Sequence, residues 1–122
     1  MTSDDASLPD NPLPPCPDTP NCERQARSFA HDPKMLFGAV QSVLASMGPI
    51  EMNVQPSDCS VRVVFRVALV FKDDVHVAIR PHGDTGSNSV LFIRSASRTG
   101  QYDFGVNRRR VQQFFRRVEE KV

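Results

Sequence analysis

Val61-Arg62-Val63-Val64-Phe65-Arg66-Val67-Ala68-Leu69-Val70-Phe71-Lys72-Asp73-Asp74-Val75-His76-Val77-Ala78-Ile79 reads as two consecutive β-strands. Val61, Val63, Phe65, Val67, Leu69 and Phe71 alternate along the first. Arg62 and Arg66 lie on its other face, followed by Ala68 and Val70. A period of two means that one face is buried throughout, while the other passes from solvent-facing to covered. Lys72-Asp73-Asp74 is the expected hairpin turn, because Asp is a favoured turn residue. Val75, Val77 and Ile79 then resume the alternation, with His76 pointing away from their stripe.

Working outward, Ile50, Met52 and Val54 predict a short strand before the turn Gln55-Pro56-Ser57-Asp58. On the other side, Pro81 to Ser89 contains Gly83-Asp84 and Gly86 and reads as a loop, and Val90 to Ile93 is a fourth strand. Asp32-Pro33 starts a helix well, since Asp caps free amides and Pro is tolerated in the first turn. Leu36, Val40, Val43, Leu44 and Met47 form its stripe, and Gly48-Pro49 stops it. A last helix carries Val111, Phe114, Phe115, Val118 and Val122 on one side. Short loops favour antiparallel pairing, and two amphipathic helices must bury their stripes on one sheet face. The expected fold is α+β: two layers, a four-stranded antiparallel sheet with two helices on one face, in the order α-β-β-β-β-α.

Pro9, Pro12, Pro14, Pro15, Pro17 and Pro20 crowd the N-terminal region, where neither helix nor inner strand can form. Residues 1–13 are therefore expected to be a disordered arm and residues 14–122 a single domain. The 122 residues, 39% hydrophobic and 24% charged, suit one globular core. A net charge of +1 provides no global field for nucleic acid or a membrane surface. The charge is uneven, however: residues 1–23 hold five acids and no base, and residues 94–122 hold seven Arg and one Lys against three acids. No apolar run approaches the ~20 residues that span a bilayer. Nor does the acidic N-terminus resemble a secretion signal, so the expected location is cytoplasmic.

The densest chemistry lies between Arg94 and Arg110. Arg94 and Arg98 offer planar donors for carboxylate or phosphate, and Ser95 and Ser97 add hydroxyls. The start of the last helix points free amides toward the same place. Asp103, Asn107 and Arg108 complete a candidate anion-binding set. The bland alternative is an internal network in which Arg94 or Arg98 pairs with Asp73, Asp74 or Asp103, and Asp103 or Asn107 caps the helix. A catalytic alternative places Cys22, or the pair Asp73 and Asp74, beside Arg94 and Arg98 as nucleophile or base. Cys16 and Cys22 leave three readings open: a disulfide, thiols kept reduced in the cytosol, or a reactive Cys22 thiolate. Their spacing is not that of a zinc site, and no metal or cofactor is expected. The arginine-rich helix lacks interleaved exposed aromatics, which disfavours nucleic acid.

Cys16-Pro17-Asp18-Thr19-Pro20-Asn21-Cys22, Phe71-Lys72-Asp73-Asp74-Val75, and Arg94-Ser95-Ala96-Ser97-Arg98 with Gly100, Asp103, Gly105, Val106, Asn107 and Arg108 occur in this order. Together they resemble the domain-of-unknown-function family numbered 1499, from residue 14 to the end. The resemblance implies a small soluble or membrane-tethered domain with no established activity. Glu23-Arg24-Gln25 stands where that family often has valine-serine-serine. The expected function is a binding or interaction module for a small anion (phosphate or carboxylate) or an acidic protein partner.

Overall fold

The computed structural model describes residues 8–100 and 104–122. Its elements are β1 (Cys22–Phe29), α1 (Pro33–Ser46), β2 (Glu51–Gln55), a single 3-10 turn (Pro56–Asp58), β3 (Ser60–Val67), β4 (Phe71–His82), β5 (Asn88–Ser97) and α2 (Val106–Lys121). All strands join one antiparallel sheet in the order β1-β5-β4-β3-β2. Both helices pack on one face of it. The two-layer α+β architecture stands, with five strands rather than four.

The additional strand is β1. It carries Glu23, Gln25 and Arg27 where an ordinary half-buried strand would show apolar residues, and only Phe29 on that face joins the core. Arg27 substitutes for an apolar residue by laying its guanidinium 4.1 Å from the centroid of the Phe115 ring while pairing with Glu119 on α2. Long basic side chains can cover apolar surface in this way.

The β3–β4 turn is also not where turn chemistry places it. Val67 pairs with Phe71, so the chain reverses at Ala68-Leu69-Val70, and Lys72, Asp73 and Asp74 lie within β4. Tertiary partners hold these carboxylates in a strand. Asp73 faces the helices, where Arg110 meets it, and Asp74 faces the opposite side, where Arg98 meets it.

Elsewhere the pattern is realised closely. The Asp32 carboxylate accepts from the Lys34 and Met35 amides at the start of α1, and Gly48 turns the chain after it with φ +79°. Leu36, Val40, Val43 and Leu44 of α1 meet Val111, Phe114, Phe115 and Val118 of α2. Beneath them lie Val61, Val63, Phe65, Val75, Val77, Ile79, Leu91 and Ile93 of the sheet. These side chains are buried together between the helices and the sheet, and the outer sheet face lies on the other side.

That outer face is partly covered by the N-terminal arm. Residues 1–7 lie outside the described residues, but from Leu8 the arm lies on the sheet. Leu13, expected at the end of a disordered segment, is only 3% exposed and packs on Ala78, Val90 and Phe92 with help from Leu8. Its carbonyl accepts from Arg24 Nη2 at 3.0 Å, which fastens the arm to β1.

Candidate functional site

Alternation along β5 divides the predicted anion-binding set between two faces. Ser95 and Ser97 face the helices, while Arg94 faces the outer side. The inward group forms a closed polar network at the end of the sheet. Arg110 Nη1 donates to Asp73 Oδ2 at 2.8 Å, to Ser95 Oγ at 3.1 Å and to Asn107 Oδ1 at 2.9 Å. Ser95 Oγ also donates to Asn107 Oδ1. Asn107 Nδ2 reaches Ser97 Oγ at 2.9 Å and the Asn21 carbonyl at 3.2 Å. The guanidinium of Arg110 also lies 4.8 Å from the centroid of the Phe65 ring.

Asn21 extends this network into the Cys16–Cys22 turn. Its carbonyl accepts from the Ser97 amide, its side chain donates to the Gly100 carbonyl, and Thr19 Oγ1 donates to its Oδ1. Cys16 and Cys22 are joined by a disulfide, so the Cys22 sulfur is not a free thiolate here. The cysteine turn, the serines of β5 and the first turn of α2 thus converge to hold one another. Asn107 lies inside α2 rather than capping it, and Gly105 takes the cap position in the left-handed region. A Cβ at Gly105 would stand 2.9 Å from Arg109 Nη1. Arg110, absent from the predicted set, is the central donor. Its position one turn into the helix made it look like one of several surface arginines.

The remaining candidates are placed as follows. Arg98 makes a bidentate pair with Asp74, both contacts at 2.9 Å. That hydrogen bond, and then the Asp74 charge, raises the Arg98 pKa above its ordinary value. Arg108 is exposed on α2. Asp103 lies outside the described residues. Among the described residues, no three His, Cys, Asp or Glu side chains gather as a metal cluster would require.

The outer face carries a different constellation. Asn53, Arg62, His76, Arg94 and Arg24 are directly opposed across all five strands, in one transverse row. Neighbouring strands lie about 4.8 Å apart, so this row sets Arg62, His76, Arg94 and Arg24 side by side, and like charges directly opposed, as Arg94 and Arg24 are, are normally destabilising. No carboxylate among the described residues pairs with Arg62, Arg94 or Arg24. Arg94 Nε is buried and has no hydrogen-bond partner. His76 has a lowered pKa, first because it is half-buried and next because Arg62 faces it, with Arg80 and Arg94 adding to the effect and Asp58 opposing it.

Above this row runs a groove of about 880 Å³. Pro12 and Pro14 of the arm form one wall, and Arg62, His76 and Arg94 lie on its floor. The next row of the sheet contributes Glu51 and Asp74 to the same groove, and Arg98 already neutralises Asp74. The alternation in the sequence places Arg62 and His76 away from the core, but only the strand register joins them to Arg94.

The profile of the family described as "Protein of unknown function (DUF1499)" matches residues 12–118. No curated protein matches the chain. Among solved structures, a START superfamily protein from Mycobacterium smegmatis superposes with a TM-score of 0.54 at 7% identity, covering 83% of this chain and 93% of that one. A protein from Chromobacterium violaceum gives a TM-score of 0.54 at 11% identity, covering 84% and 94%. At such identities the likeness is one of fold.

Proposed function

We propose that this chain, which belongs to the DUF1499 family, is a binding module that holds a small anionic group in the groove on the outer face of its sheet. The observation that carries the reading is the buried, unpartnered Nε of Arg94, which stands between His76 and Arg24 in the row Asn53-Arg62-His76-Arg94-Arg24. A buried donor without an acceptor costs free energy, and so do like charges set opposite one another in a sheet. One phosphate or carboxylate above Arg94 relieves both, because its oxygens accept from two guanidinium groups at once.

The site therefore keeps Arg94 from the predicted set and adds Arg62, His76 and Asn53. Arg98 acts at its edge by neutralising Asp74. Ser95, Ser97 and Asn107 serve the fold, and through it the position of β5. Binding is favoured over catalysis because the candidate nucleophile and bases are already engaged: Cys22 in the disulfide, Asp73 with Arg110, and Asp74 with Arg98. The disulfide also favours an oxidising compartment over the cytoplasmic location expected from the sequence.

The test is calorimetric titration of the purified protein with inorganic phosphate and with di- and tricarboxylates. Arg94→Gln is expected to weaken the bound anion by roughly tenfold or more, the effect of one charge-assisted hydrogen bond. Equal affinity of wild type and Arg94→Gln for every anion would remove the basis of the proposal.

A further inference from the structure

The β3–β4 turn breaks the rules of turn composition. Hairpin turns favour Gly, Asn and Asp, above all where φ is positive. Here Val67-Ala68-Leu69-Val70-Phe71 contains no polar residue, and Ala68 has φ +55°. Leu69 is 84% exposed and Val70 78%. Phe104, in the loop that leads into α2, is 90% exposed. Phe71 and Phe104 line one apolar recess together with Val67, Ala68 and Val106, so the hairpin tip and this loop stand at the same end of the molecule.

Basic residues surround that end. Arg66 and Lys72 form the register pair immediately behind Val67 and Phe71. Arg109 donates to the Phe104 carbonyl, and Arg66 and Arg109 border the same hollow. No carboxylate among the described residues pairs with these three, whereas the nearby Asp73 and Asp74 are both engaged.

We propose that this end of the molecule docks onto the surface of a lipid bilayer bearing anionic headgroups, with Leu69, Val70 and Phe104 entering the acyl boundary and Arg66, Lys72 and Arg109 meeting the phosphates. Side chains this exposed project from two loops rather than lining a flat patch. A fluid hydrocarbon layer can surround them on all sides, which a folded protein surface does poorly. Apolar insertion and attraction of a basic collar to anionic lipid act together in interfacial docking. The surface is separate from the outer-face groove and does not depend on it.

The experiment is flotation of the purified chain with vesicles of phosphatidylcholine alone and of phosphatidylcholine with phosphatidylserine. The wild type is expected to float with the anionic vesicles, and less so in high salt. Leu69→Ser with Val70→Ser is expected to lower the partition coefficient by roughly tenfold or more. Circular dichroism and the melting temperature verify that this turn variant folds. Arg66→Gln with Lys72→Gln is expected to abolish the preference for anionic vesicles. Arg94→Gln is expected to float like the wild type, which separates this claim from the anion groove. The proposal is overturned if the wild type does not float, or if the folded turn variant floats equally well. It is also overturned if sedimentation shows that these residues mediate self-association without vesicle binding, which would assign the tip to a protein contact.

Discussion

Arg110→Met tests the claim that the inward polar network holds the sheet to α2. The side chain of Asp73 is 3% exposed and that of Arg110 11%, so both charges are out of water. Methionine keeps much of the volume over Phe65 but removes the donor shared by Asp73, Ser95 and Asn107. Breaking a buried ion pair from one side costs about 3–5 kcal/mol, because the other charge remains buried. Against a typical total stability of about 5–15 kcal/mol this is a large fraction. For a domain of this size it corresponds to a fall of roughly 10–20 °C in melting temperature. Urea denaturation followed by circular dichroism measures it, with an unchanged m-value confirming two-state behaviour. Asp73→Asn combined with Arg110→Met is expected to cost less than the two single changes added together, since no uncompensated charge remains. The exposed pair Arg98–Asp74 is the internal control: Arg98→Gln is expected to leave the urea midpoint nearly unchanged, because solvent screens an exposed ion pair. An Arg110→Met loss no larger than that of Arg98→Gln would show that the inward network does not hold the sheet to α2.

Other outcomes follow from the same contacts. Replacing Cys16 and Cys22 by serine removes a short covalent loop and is expected to cost about 2 kcal/mol; a reductant should lower the melting temperature of the wild type to a similar extent and leave the double variant unmoved. The folded pKa of His76 lies below the ordinary value of 6.5, so the unfolded chain binds the extra proton first as pH falls. Its stabilising contribution is fully present above pH 6.5 and declines as pH falls through that value toward the lowered one. Urea midpoints measured across this range should decline more in the wild type than in His76→Gln, and parallel curves would exclude the effect. An anion above His76 favours the imidazolium, so phosphate affinity corrected for phosphate ionisation should rise as pH falls in the wild type and change less in His76→Gln.

Much of the fold is written in strong periodic signals. The stripes of both helices, the Asp32 cap and the alternation of β3 and β4 needed no tertiary information. Two elements did. The edge strand β1 has almost no apolar alternation, because Arg27 covers Phe115 with a charged side chain and the strand pairs with β5, far away in sequence. The β3–β4 turn is apolar, so hydrophobic periodicity runs straight through it and the polar triplet Lys72-Asp73-Asp74 attracts the assignment.

That displacement also concealed the candidate site. A turn centred on Asp73 would set His76 opposite Val70, whereas the observed register sets it opposite Arg62. Only with that pairing, and with Arg94 opposite His76, does a basic row emerge across the sheet. The sequence drew attention to Arg94 through Arg98 as a cluster because the residues are adjacent. In a strand, adjacency places them on opposite faces, so Arg94 enters the groove while Ser95 and Ser97 enter the network. The residues that carry the family resemblance serve the network most of all. Asn21, Ser95, Ser97, Asn107 and the disulfide hold three separated segments together, and their clustering reflects the needs of the fold as much as those of a site.

Nitrogen-detected NMR of the arginine side chains reads the unpartnered Nε of Arg94 separately from every other arginine. Phosphate titrated into the isotope-labelled protein is expected to shift the Arg94 Nε resonance saturably, with Arg62 and the His76 ring following the same isotherm and Arg110 remaining still. A titration that leaves Arg94 Nε unmoved, or that shifts all exposed arginines alike without saturation, would contradict the assignment of an anion site to this groove.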